Sequence, residues 1–160
     1  MIALQIPEVK KCMQLLLMEE AFDSFLFSEG TLALETTYRL DGKINTAYYN
    51  TEELAELGLE EQVYLPWRLM KARVFSLIRG NRTPLSFRFT LVLSSREARS
   101  LGAEDRDLCL LSLRFQENRL TMVTGLSRGS FSMDHALDRS WDDYARGLLH
   151  RLGIIVEEIG

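Results

Sequence analysis

The chain is poor in the residues that cross-link, ligate and punctuate: of 160 residues only two are cysteine, two histidine and three proline. Two cysteines exclude the disulfide framework that stabilises small secreted domains, and a reducing cytosol is the expected setting. Cys12 stands beside Met13, and Cys109 lies within the apolar segment LCLLSLRF, so both are expected to be buried, inert thiols. His135 and His150 are too far apart on one predicted helix to share a metal, which needs i,i+3 or i,i+4 spacing. No apolar run approaches the ~20 residues of a membrane span. The opening MIALQIPEVKK has neither the basic region nor the small-residue cleavage site of a secretory signal. A cytoplasmic protein without membrane contact is expected. Walker and dinucleotide spacings are absent as well, and no nucleophile motif stands out.

The most telling absence is local. Between residues 62 and 96 there is no acid at all, while seven bases fall there: Arg68, Lys71, Arg73, Arg79, Arg82, Arg88 and Arg96. The chain as a whole carries a net charge of −4. Residues 1–61 hold 12 acids against 4 bases, and residues 97–160 hold 11 against 8. A basic block inside an acidic chain speaks about partners rather than about fold. An apolar fraction of 46% with 26% charged residues suits a folded core, and the length suits a single domain over 1–160.

Periodicity outlines the elements. Ile2, Leu4 and Ile6 alternate as a strand, and Pro7 opens a helix with Val9, Met13, Leu16 and Leu17 on one face. FLFSE and TLALETTYRL read as two strands, Asp41-Gly42 as a hairpin turn, and KINTAYY as the returning strand. Asn50 caps a short helix with Glu53 in a capping box, and Gly58 ends it. The order then restarts. QVYL is a strand, and Pro66 opens a helix with Met70, Val74, Leu77 and Ile78 inward and Trp67 beside that face, ended by Gly80 in a left-handed conformation. LSFRFTLVL, LCLLSLRF and RLTMVTG follow as strands, the last two joined by a turn at QEN, with a helical turn inserted at about 94–107 and a short extra strand in SRGSFSM. A last helix over about 134–152 turns Leu137, Trp141, Tyr144 and Leu148 inward, and GIIVEEIG is an edge strand. The two apolar helix stripes have the same spacing, and Lys10 maps onto Lys71 under the same shift. The fold class expected is therefore α+β: a duplicated βαβββ unit, about 1–50 and 62–132, with two helices on a mostly antiparallel sheet, then an extra C-terminal helix and tail at 133–160.

A βαβββ unit used twice resembles one domain of a DNA sliding clamp, an acidic protein whose helices present a basic inner surface to the duplex. That resemblance covers about residues 1–132. It implies a nucleic-acid-binding role for helix side chains and a ring that this chain would need six copies to close. The segments MIALQIP, RGNRTPLSF and LDRSWDDY also resemble an uncharacterised family of small proteins from Gram-positive bacteria, which brings no known activity.

At 100° per residue, Arg68 and Arg79 stand opposite the apolar face of the second helix, with Lys71 and Arg73 on its flanks. On the first helix Lys11 faces outward and Lys10 sits on the flank. With Arg82 these residues, Lys10, Lys11, Arg68, Lys71, Arg73, Arg79 and Arg82, are the candidate surface for phosphate contacts without base readout. Solvated charge is the competing reading, and Arg79 and Arg82 also suit the negative end of a helix dipole. The loop GLSRGS, 125–130, offers a backbone nest for an anion or a plain turn. Asp134, Asp138 and Asp142 recur every four residues and read as a solvated helix face, so no metal and no cofactor is expected. The expected function is a non-enzymatic clamp-like module that binds nucleic acid or an acidic partner through its basic helices. The alternatives are an interaction or homo-oligomerisation module using the tail and sheet edges, and a small enzyme acting on a phosphorylated substrate.

Overall fold

The computed structural model describes residues 1–80 and 82–159. In chain order the elements are β1 (Ala3–Ile6), α1 (Val9–Leu17), β2 (Phe25–Ala33), β3 (Thr37–Asp41), a single 3-10 turn (Thr46–Tyr48), α2 (Thr51–Glu56), β4 (Leu65–Pro66), α3 (Trp67–Ile78), β5 (Ser86–Leu93), α4 (Ser95–Ser100), β6 (Leu108–Gln116), β7 (Arg119–Ser127), α5 (Ala136–Arg151) and β8 (Glu157–Ile159). The eight strands form one sheet in the order β3-β2-β5-β6-β7-β1-β8, with β4 beside the start of β2. All pairings are antiparallel, which makes the class α+β.

Strand alternation sorts the side chains into two faces. Ile6, Leu120, Phe115, Phe87 and Leu32 stand in one row across β1, β7, β6, β5 and β2, and Leu4, Met122, Leu113, Phe89 and Gly30 in the next. The helices cover this inner face. Trp67 at the start of α3 lies over Phe27 and Phe89, with ring centroids 5.8 and 6.4 Å away, and donates its indole N–H to Leu16 O of α1 at 2.9 Å. Trp141 of α5 lies 6.4 Å from Phe25 and donates to Leu110 O at 3.0 Å. Phe87 stacks between Phe89 and Phe115 at 4.8 and 5.3 Å. Each such buried ring contributes roughly 1.5–3 kcal/mol by leaving water, and both indoles keep a hydrogen bond as they do so.

Several expectations hold residue by residue. The capping box is present: Asn50 Oδ1 accepts from Glu53 N, and Glu53 Oε1 accepts from Asn50 N. Gly58 ends α2 at φ +69°. Glu117 and Asn118, both at positive φ, make the two-residue turn between β6 and β7. β8 pairs along β1 as an edge strand.

Others are corrected. FLFSE and the start of TLALETTYRL are one strand, β2, with a bulge between Phe27 and Glu29. The bulge inserts a residue, so Phe25 and Phe27 reach the inner face on one phase and Gly30 and Leu32 on the other. That phase slip is what imitates a strand boundary in the sequence. The hairpin turn falls at residues 34–36, not at Asp41-Gly42. Gly42 serves a close approach instead: a Cβ there would stand 1.8 Å from Phe27 O. KINTAYY forms no strand, only a single bridge from Lys43 to Tyr64 and the 3-10 turn. With that strand missing, the duplicated βαβββ unit is not confirmed. SRGSFSM is irregular, with Phe131 and Met133 exposed. α3 ends because Arg79 turns to an extended conformation at ψ 139°, and Gly80, at φ +154°, is not a left-handed cap. Asn81 of the predicted turn lies outside the described residues. In α5, Leu137, Trp141, Ala145 and Leu149 are buried, while Tyr144 and Leu148 are half-buried.

Candidate anion-binding surfaces

α1 and α3 touch on the inner face of the sheet and contain between them Lys10, Lys11, Arg68, Lys71 and Arg73, with no acid. Three of these five side chains have structural partners. Lys11 Nζ donates to Gly153 O at 2.6 Å, just past the end of α5. Arg68 Nη2 donates to Leu57 O at 2.7 Å, at the end of α2. Lys71 Nζ donates to Glu19 O at 2.8 Å, just past α1, and pairs with Asp23 Oδ1 at the same distance. Helix C-termini leave carbonyls without partners and carry the negative end of the dipole, so a cation there satisfies both needs. Arg68 caps α2, and Lys11 and Lys71 each tie down the chain just beyond the end of another helix, α5 and α1.

The remaining candidates stand clear. Lys10, Arg73, Arg79 and Arg82 are exposed and form no ion pair among the described residues. Lys10 and Arg73 project from the two acid-free helices. Arg79 and Arg82 flank an open cavity of about 480 Å³ that also contains Glu35.

A second basic surface lies on the opposite face of the sheet, where sequence reasoning placed no candidate. Strand register sets Arg39, Thr31, Arg88, Arg114, Thr121 and Gln5 in one row across six strands. Arg88 and Arg114 are directly opposite one another, and Thr31 lies between Arg39 and Arg88. All three arginines are exposed and without an ion pair among the described residues. Like charges directly opposite on a sheet are destabilising, so the fold does not explain this row. The next row holds Asp41, Glu29, Thr90 and Ser112. An open cavity of about 480 Å³ spans both rows. Alternation alone put Arg88 and Arg114 opposite the apolar positions of their strands. Their meeting across β5 and β6 needed the register.

The loop GLSRGS meets an anion through Gly129 and Arg128, and that anion belongs to the chain. Asp107, buried at the start of β6, accepts from Gly129 N and Glu104 N, both at 2.9 Å, with Arg128 Nε 3.6 Å away. The two backbone N–H groups hold its carboxyl below the ordinary 3.8, with Arg128 adding to the effect. The three regularly spaced aspartates go separate ways. Asp134 caps Ala136 N, Asp138 lies 3.5 Å from His135, and Asp142 accepts from Thr124 Oγ1 and from the Met1 amine. Among the described residues no three His, Cys, Asp or Glu side chains group as metal ligands. Burial pushes the Cys12 thiol up to about 12 and Cys109 to about 11, which suppresses the thiolate. Tyr144 donates to Glu97 and is raised to about 12, first by burial and then by that bond. Among the described residues no helix is long and apolar enough to cross a membrane.

A family model, "Family of unknown function (DUF5721)", matches residues 15–157, and the chain belongs to that family. No curated protein and no solved structure matches it.

Proposed function

We propose that this member of DUF5721 is a non-enzymatic, cytoplasmic binding module in which residues 1–160 act as one domain. Its ligand is the backbone of a nucleic acid, met by the outward side of α1 and α3. One observation carries the reading: the two touching helices hold five bases and no acid in a chain of net charge −4. Lys10, Arg73, Arg79 and Arg82 contact phosphates. Lys11, Arg68 and Lys71 belong to the framework that holds the helices, and their charge adds to the field at longer range. Two helices side by side on an antiparallel sheet support the likeness to a sliding-clamp domain. No acidic side chain on either helix opposes an approaching phosphate.

Fluorescence anisotropy of a labelled duplex tests the reading. With four phosphate contacts, affinity falls about a hundredfold between about 50 and 200 mM salt. Lys10→Glu with Arg73→Glu removes binding, while the thermal midpoint stays within a few degrees. Affinity that ignores salt, or that survives the double reversal, sinks the proposal. The competing reading is an oligomerisation module. It draws on the two outer strands, β3 and β8, the latter ending in exposed Ile159 and preceded by exposed Ile155. Light scattering at high concentration separates them: self-association with no affinity for DNA favours the second.

A further inference from the structure

We propose that the open face of the sheet holds a second, independent site, for a small free zwitterion with an oxyanion at one end and an ammonium group at the other. The cavity there is bounded by β3, β2 and β5, with Tyr64 at its rim, and its volume of about 480 Å³ is that of a small-molecule site. Its charges are sorted by row. Arg39 and Arg88 flank Thr31 on the two neighbouring strands, and both line the cavity. Adjacent strands are about 4.8 Å apart, so Arg39 and Arg88 rise on either side of Thr31 with all three side chains bordering one cavity. That is a cradle for an oxyanion, with two planar donors and a hydroxyl. Two residues along the strands, roughly 7 Å away, Glu29 and Asp41 face each other directly and line the same cavity. Asp41 Oδ1 accepts from Lys43 N at 2.9 Å, which holds that carboxylate in place.

These four charges lie around one cavity and yet none pairs with another at ion-pair distance. The basic end is further loaded by Arg114, directly opposite Arg88. A fold left to itself gains nothing from this separation. A ligand of opposite polarity relieves both ends at once. A polyanion matches only one end, because Glu29 and Asp41 repel its continuation. Two features set the spacing. The bulge at Ser28 brings Glu29 to the outer face, and Gly42 lets the chain after Asp41 close against Phe27 O.

Calorimetric titration of the full chain with O-phosphoethanolamine tests the site, with inorganic phosphate and ethanolamine as half-ligands. The zwitterion is expected to bind at least about tenfold more tightly than either half. Arg39→Gln with Arg88→Gln abolishes binding of both the zwitterion and phosphate. Glu29→Gln with Asp41→Asn weakens the zwitterion to the level of phosphate alone. Lys10→Glu with Arg73→Glu changes neither, which keeps this site distinct from the helix surface. The proposal is overturned by equal affinity for zwitterion and phosphate, or by binding that survives loss of both arginines. It is also overturned if the protein sediments with phosphatidylethanolamine vesicles but does not bind the free compound.

Discussion

The helix layer and the open face of the sheet both carry basic side chains, and they treat that charge in opposite ways. In the helix layer Lys11, Arg68 and Lys71 reach the carbonyl ends of α5, α2 and α1. Their charge is part of how the helices are held. On the open face Arg39, Arg88 and Arg114 share one row and have no ion pair among the described residues. The lesson is that a basic block in a sequence mixes charges that close helices with charges that await a ligand. Only partners in space separate the two kinds.

Substitutions can sharpen that division, beginning with the residue that anchors the helix layer itself. Trp67→Ala removes the side chain between α1 and the sheet, and denaturant unfolding should show a loss of about 3–5 kcal/mol. Lys71→Ala should cost about 1 kcal/mol, since it removes the partly buried pair with Asp23 together with the bond to Glu19 O. Should Lys71→Ala prove as silent as a surface change, capping is not what holds this charge.

The acid that is already housed gives a pH counterpart. The folded pKa of Asp107 is depressed below the ordinary 3.8, so its contribution is complete above that value and fades as pH falls through the folded one. Thermal midpoints of the protein and of Asp107→Asn should differ most above pH ~4 and converge in stronger acid. A gap that widens on acidification contradicts the assignment.

On the open face the sign reverses. Arg114→Thr relieves a like-charged pair and places a good strand former there, so stability should rise by a few tenths to about 1 kcal/mol. A loss would mean that the row already has a structural role. The smallest effect belongs to Arg73→Ala, two residues from Lys71 on the same helix. It should shift stability by less than about 0.5 kcal/mol while weakening duplex DNA binding. Equal losses from Lys71→Ala and Arg73→Ala would erase the distinction between closing charge and waiting charge.

How far the sequence could be read follows the same division. Features that depend on near neighbours were legible: the alternation of Phe87, Phe89, Leu91 and Leu93, the Asn50–Glu53 box, and the stripe carrying Leu137 and Trp141. The β2 bulge was not, because one inserted residue imitates the end of a strand. Gly42 looked like a turn residue beside Asp41, although its need is for space against Phe27 O. The candidate helix surface was half legible. Helical angles put Arg68 and Lys11 outward, but long side chains bend to distant carbonyls that no local pattern reveals. The loop GLSRGS left a plain turn and an anion nest both open, and the carboxylate it meets, Asp107, lies about 20 residues upstream, where no local pattern reveals it.

By itself, then, the sequence determined the α+β class, the strands β1, β5, β6 and β7, the inward side of β5, the positions of the main helices and the acid-free stretch from 62 to 96. Backbone preference and hydrophobic period act over a few residues, and a few residues suffice to express them. Tertiary structure alone decided which bases are consumed as caps and which arginines face one another across β5 and β6. Register between strands and contacts between helices join residues tens of positions apart, and the energy of a charge depends on those neighbours rather than on its place in the chain.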